Sequence, residues 1–239
     1  MQLLVRIVLG YLFAGAAVIA LVRDDPVAVI GDLLRPIPSG LQLFTTMDWW
    51  VARLAGAFVV LIPREELMRR LPRAVLAVFV ATAFFLTFTM VKTAMPLIVP
   101  FWADPMLAAA DEALHFGHAP WALTHGLADW VNADLAARVY LEFWAPVALF
   151  FPVFLILLDG NAARVRRFVV LYAFAWIGLG NLLALGFMSA GPVFYDRVAG
   201  GELFAGLTAA LGSAGVLDSQ AGALQQSLWM AYSTLEQKV

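Results

Sequence analysis

Residues 74–105 read AVLAVFVATAFFLTFTMVKTAMPLIVPFWADP, and this stretch decides the fold. No charge occurs from Ala74 to Val91; Lys92 follows, and Pro96, Pro100 and Pro105 then break the pattern. At about 1.5 Å per residue the uncharged run is roughly 27 Å long, most of the hydrocarbon thickness of a bilayer. It predicts a membrane-crossing helix with Lys92 near one surface. Arg64, Arg69, Arg70 and Arg73 crowd the other end. The positive-inside rule puts that end in the cytoplasm and Lys92 on the outer side.

Composition agrees. With 63% hydrophobic and 13% charged residues and a mean hydropathy of +0.86, the chain is too apolar for a soluble domain of 239 residues. It reads as an integral membrane protein. The formal net charge of −2 says little, because in a membrane the position of each charge matters more than the sum. No long basic run points to nucleic acid, and the lack of cysteine excludes disulfides, thiolate metal sites and cysteine nucleophiles.

Outward from this helix, Leu4–Val22 is a first apolar run, with Arg6 near its start and Arg23-Asp24-Asp25-Pro26 closing it. A signal peptide cut after Val18-Ile19-Ala20 is the competing reading, but its apolar core would be only about 7–15 residues long, so a retained helix is expected. The turn cluster Arg35-Pro36-Ile37-Pro38-Ser39-Gly40 places residues 26–46 along the outer surface. A short second span, about Met47–Ile62, carries Asp48 and Arg53 in its first two turns and runs into the arginine cluster. Residues 101–137 hold Asp104, Asp111, Glu112, Asp129, Asp134 and all three histidines, which makes them an outer loop. Within it, Met106–Leu114 and Trp121–Val131 read as amphipathic helices in the interface, with Trp102, Trp121 and Trp130 at headgroup level.

A fourth span, Val139–Leu158, leads to a cytoplasmic loop bearing Arg164, Arg166 and Arg167, and a fifth, Phe168–Ala190, returns outward. In the tail, Glu202–Leu211 and Leu224–Leu235 show helical spacing but are too short and polar to span. The expectation is an all-α polytopic membrane helix bundle: about five transmembrane helices, with interfacial amphipathic helices in the outer loop and the carboxyl-terminal tail. Residues 1–239 form one membrane domain, with the amino terminus inside and the carboxyl terminus outside.

A charge at the bilayer centre costs at least about 2.5–3.5 kcal/mol, so intramembrane polar groups pair or line a cavity. On this topology Asp48, Arg53, Lys92, Glu142 and Asn181 come from four helices and share the outer half of the membrane. One reading is an outward-facing polar pocket. The other is structural, with an ion pair such as Lys92–Glu142 and snorkelling by Arg53 and Lys92. Beyond the fifth span, Ser189-Ala190-Gly191-Pro192-Val193-Phe194-Tyr195-Asp196-Arg197 ends a helix at Gly-Pro and brings Tyr195 and Arg197 to the outer surface. A guanidinium there can hold a phosphate by a two-pronged hydrogen bond, although a capped helix end would read the same way.

Three segments carry a resemblance: Lys92-Thr-Ala-Met-Pro96 with Pro100-Phe-Trp-Ala-Asp104-Pro105; Asp111-Glu-Ala-Leu-His115-Phe-Gly-His118-Ala-Pro120-Trp121; and Ser189-Ala-Gly-Pro192-Val-Phe-Tyr195. Together they resemble bacterial membrane proteins of the phosphatidic acid phosphatase type 2 superfamily, in the branch similar to inositolphosphotransferases and inositol phosphorylceramide synthases. The resemblance spans roughly residues 75–235. It implies a helical protein of the bacterial inner membrane with an outward-facing site that cleaves or transfers a lipid-linked phosphate. The family's mechanism uses a histidine nucleophile, a second histidine with a carboxylate as acid and base, and cations that hold the phosphate. No cofactor and no metal are implied. The phosphate-binding candidates are Lys92, Tyr195, Arg197, Arg53 and Glu142.

The family's catalytic motifs are not matched. Pro38-Ser39-Gly40-Leu41 has leucine where the nucleophile-supporting motif has histidine, and Val99-Pro100 after Lys92 has valine where the family has arginine. His125-Gly-Leu-Ala-Asp129 has the spacing of the acid/base motif but lacks the preceding Ser-Arg and comes early in the chain. His115, His118 and His125 could share a helical face, but Gly117 and Pro120 interrupt it, so interfacial histidines are expected over a metal site. In this branch the histidine motifs follow the segment matched by Ser227-Leu-Trp229-Met-Ala-Tyr232. The expectation is therefore an amino-terminal portion of a longer lipid phosphatase/phosphotransferase domain, truncated, frame-shifted or split, and inactive alone; in the split case the catalytic half is a separately encoded partner. A non-enzymatic membrane protein that binds a lipid headgroup or a partner at the same pocket is the first rival. A small transporter or channel is disfavoured, because the polar groups lie on one side and form no path across.

Overall fold

Helix α1 (Gln2–Val22) buries Leu4, Val8, Tyr11, Gly15 and Ile19, a stripe at helical spacing, while Phe13 and Leu21 are exposed. Its partner is α2 (Arg64–Ala94), which presents Ala74, Ala77, Ala81, Phe84, Thr87, Met90 and Ala94. Small residues on that face let the two backbones approach, the usual basis of helix pairing in a membrane. Pro72 falls before the apolar run, and a 3₁₀ turn at Met95–Leu97 ends α2.

The computed structural model describes residues 1–28, 31, 62–126 and 133–236, and every regular element among them is helical. After α2 come α3 (Asp104–Leu114), α4 (Pro120–His125) and α5 (Ala133–Arg138). A π-helical segment, Val139–Trp144, joins α5 to α6 (Ala145–Leu158). Next are α7 (Ala162–Gly186), α8 (Tyr195–Val198), α9 (Ala205–Ser213) and α10 (Gln220–Glu236). Among the described residues three helices are long and apolar enough to cross a membrane: Gln2–Val22, Arg64–Leu97 and Ala162–Gly186. They are compatible with an integral membrane protein.

The expected fourth span is a shorter apolar helix, α6, bent where Phe150 leaves helical geometry two residues before Pro152. The expected second span, Met47–Ile62, lies outside the described residues except for Ile62. The interfacial helix expected over Trp121–Val131 is present as α4 up to His125, and its remainder also lies outside them.

The chain divides into two compact units, Met1–Ile98 with Val147–Leu183, and Val99–Pro146 with Ala184–Val239. In the first, contacts fix the relative direction of the helices. Tyr11 of α1 packs on Phe84 of α2, Gly15 of α1 faces Thr87, and Arg23 just after α1 donates to the carbonyl of Thr93 at 3.2 Å. α1 and α2 therefore run side by side in the same direction. α7 runs with them: Tyr172 packs on Phe84, Trp176 on Phe85 and Phe88, and Asn181 donates to the Tyr11 hydroxyl. α6 runs the opposite way, with Leu149 accepting from the Tyr172 hydroxyl and Leu157 accepting from Arg70 at 2.8 Å.

The α6–α7 turn follows from its residues. Asn161 caps α7 by accepting from the backbone N–H groups of Ala163 and Arg164, both at 3.0 Å. Asp159 binds the Arg164 guanidinium, which holds its carboxyl down at about 2, with help from the Asn161 N–H.

Candidate functional site

The second unit gathers segments that lie far apart in the sequence. Asp104 opens α3 and is 4% exposed, so its carboxylate needs donors. It has three: the Ser189 hydroxyl at 2.6 Å, the Ala190 N–H at 2.9 Å and the Gly191 N–H at 3.0 Å. Gly191 sits at φ +80°, a backbone conformation that glycine adopts without penalty. The Ala103 N–H donates to the Met188 carbonyl at 3.0 Å, and Trp102 stacks on Phe187. With its oxygens already engaged, Asp104 is a positioning residue rather than a free base. It fixes the turn from which Tyr195 and Arg197 project.

Beyond that turn, Asp196 accepts from the Phe204 N–H at 3.1 Å, and Tyr195 packs on Phe204 at 5.2 Å between ring centroids. Asp196 is thus occupied by the backbone. Arg197, exposed, lies over the Trp229 ring with its guanidinium carbon 5.1 Å from the centroid. Phe194 stacks on the same indole, Trp229 packs on Tyr232, and Tyr232 on Phe101. A guanidinium lying on an aromatic face keeps its N–H edge free for a phosphate or carboxylate. Among the described residues Arg197 has no carboxylate partner. The sequence reading missed the platform that Trp229 provides. Its only signal was an aromatic pair, Trp229 and Tyr232, at helical spacing.

The remaining predicted residues fall as follows. Lys92 belongs to the first unit, half-buried at the end of α2, with its Nζ 5.9 Å from the Phe88 ring centroid. Arg23, unmarked by the sequence reading, comes to the same turn through its bond to Thr93, where a cation suits the carbonyl end of a helix. Arg53 and Asp48 lie outside the described residues. Glu142 lies on the π-helical segment, and its side chain is outside the description, as is any pairing with Lys92. Asn181, read as a pocket group, is buried, and its amide donates to Tyr11 of a neighbouring helix. That assigns it to helix packing.

His115 turns its Nδ1 to the Asp111 carbonyl at 2.7 Å, in the turn where Phe116 and Gly117 take positive φ. His118 and His125 are exposed, and Asp129 lies outside the described residues. Among the described residues no group of three or more histidines and carboxylates is placed to hold a metal ion.

The chain was compared with family models, curated proteins and solved structures, and it matches none of them.

Proposed function

We propose that this chain is a polytopic membrane protein whose outward-facing unit binds the phosphate of a lipid through Arg197, as a relative of the phosphatidic acid phosphatase type 2 superfamily, inositolphosphotransferase-like branch. One observation carries the reading. Segments that bear the resemblance fold against one another, Asp104 on Ser189–Gly191 and Phe101 on Tyr232, and leave the Arg197 guanidinium on Trp229 with no carboxylate partner among the described residues. Lys92, Arg53, Glu142 and Tyr195 are further phosphate-binding candidates on the strength of the resemblance.

The topology behind this proposal has about five spans in a bacterial inner membrane, with the amino terminus inside and the carboxyl terminus outside. In support, α1, α2 and α7 start at one end of their unit, where Arg6, Arg69, Arg70, Arg73 and Arg166 gather. By the positive-inside rule that end is cytoplasmic. Parallel α1 and α2 require a return crossing between them, for which Met47–Ile62 is the apolar stretch available in the sequence.

His115, His118 and His125 do not stand in a nucleophile arrangement, so turnover of a phosphoester requires a histidine from outside these residues. The second reading, a non-enzymatic headgroup-binding protein, is favoured by the saturated Asp104. The test uses protein purified into lipid nanodiscs. It should bind a lipid phosphate without hydrolysing it, and Arg197→Ala or Trp229→Leu should weaken binding, by roughly ten- to a hundredfold for the arginine. Equal binding by wild type and both variants would sink the assignment. Hydrolysis by the isolated chain, abolished by His125→Ala, would instead make His125 and Asp129 catalytic.

A further inference from the structure

At the end of the first unit where α1, α2 and α7 begin and α6 ends, the helices form a half-open cavity of about 780 Å³. Arg6, Arg69, Arg70, Arg73 and Arg166 line it, and among the described residues Asp159 is the one carboxylate on its wall. Most of the negative charge nearby is already committed. Glu66 bridges Arg69 at 2.7 Å and Arg70 at 2.6 Å, and Asp159 is held by Arg164. Arg6, Arg73 and Arg166 have no carboxylate partner among the described residues. Three guanidinium groups around one cavity repel one another unless an anion joins them, and their forked N–H edges match phosphate oxygens.

Beyond the arginines, Asp159, Gln2 and the terminal amino group of Met1, the wall is mostly apolar. Leu4, Ile156 and Val169 line the same space and are buried in the core of the unit. The cavity therefore joins a cationic side to a hydrocarbon side at the end of membrane-length helices. A soluble anion would use only the first of these.

We infer that this cavity is a binding site for the phosphate headgroup of an anionic phospholipid, with an acyl chain along the apolar wall and the phosphate between Arg6, Arg73 and Arg166. It is distinct from the Arg197 site, which is built by the other unit, and does not depend on that reading. Basic pockets between helices on the cytoplasmic side of a membrane are a recognised setting for such lipids.

The test is native mass spectrometry of the full chain after extraction from vesicles of equal phosphatidylglycerol and phosphatidylcholine. Phosphatidylglycerol should be retained at least about tenfold over phosphatidylcholine, as expected for a charged contact. Arg73→Gln/Arg166→Gln should bring the ratio near one. The charge-matched Arg64→Gln/Arg167→Gln, at the same end but off the cavity wall, should leave it unchanged. If the first double variant does not fold, Arg6→Gln, on an exposed residue of the wall, should lower the ratio. Equal retention of the two lipids by wild type overturns the proposal. So does a preference that survives in the cavity variants or falls equally in the charge-matched pair. Displacement of the lipid by millimolar inorganic phosphate would assign the site to a soluble anion and overturn the lipid.

Discussion

Gly15→Ala, set against Gly10→Ala, tests the pairing of α1 with α2. A Cβ at Gly15 would lie 2.7 Å from the Thr87 Cγ2, 3.0 Å from the Met90 Cε and 3.3 Å from the Val91 Cγ2. Ordinary carbon contacts lie at about 3.5–4.0 Å, so the first is short by roughly 1 Å. The Met90 methyl can swing aside. Thr87 cannot turn freely, because it is 1% exposed and its hydroxyl donates to the Ala83 carbonyl at 2.9 Å. The helices must therefore part, at an overpacking cost of about 1–3 kcal/mol. Alanine also gains up to about 1 kcal/mol over glycine from helix propensity. Gly10 isolates that gain, since it lies on the same helix with nothing within 4 Å of an added Cβ. The difference between the two variants should be about 1–3 kcal/mol, a five- to 150-fold change in the folding equilibrium. Reversible unfolding in mixed micelles, followed by circular dichroism, measures it. Variants equal within about 0.5 kcal/mol would refute the α1–α2 packing, and with it the parallel arrangement of the helices.

Asp104→Asn should free the 189–197 turn, since each charged hydrogen bond lost is worth about 1.5–3 kcal/mol; limited proteolysis there should speed up by about ten- to a hundredfold, and an unchanged rate would count against the lock. The Asp159 carboxyl, held at about 2 by Arg164, gives stability that is present above its ordinary value of 3.8 and lost as pH falls through about 2. The stability difference between wild type and Arg164→Gln should therefore be flat from about pH 5 to 8 and shrink between about 4 and 2; a difference that vanished near neutrality would exclude this pair as its source. On the proposed topology, cysteines at Ala110 and Ser233 should react with an impermeant thiol reagent in intact spheroplasts and one at Ala162 should not; the opposite pattern would invert the sidedness.

What the sequence made legible is what local chemistry controls. The uncharged run from Ala74 to Val91 and the apolar run from Leu4 to Val22 specify helices with little help from the rest of the chain, and α1 and α2 cover them. The separate groups Arg69, Arg70, Arg73 and Arg166 were read as lying at one end, and they meet around one cavity. Less legible were departures from regular helix. Pro152 signals a break, but whether the bend falls at Phe150 depends on what the neighbouring carbonyls find, and Leu149 finds the Tyr172 hydroxyl. The candidate site was hardest, because its bonds are long-range. Asp104 and Ser189 are separated by 85 residues, and the helix-packing pair Asn181 and Tyr11, also unread in the sequence, by 170. No periodicity announces such a pair. Residue type narrows the choice, since a buried carboxylate needs donors, but only the fold names them.

The directions of the helices also bear on where the positive charge collects. Helices joined by short loops are antiparallel, and α6 and α7, joined through Asp159–Asn161, obey this. α1 and α2 do not, although they are consecutive among the described helices. Arg23, bonded to the Thr93 carbonyl, ties the exit of α1 to the exit of α2, so the two helices also begin at the same end. There Arg69, Arg70 and Arg73 of α2 meet Arg6 of α1 and Arg166 of α7 around the cavity. On the proposed topology, the positive charge that orients the protein and the charge that lines the cavity are therefore the same residues.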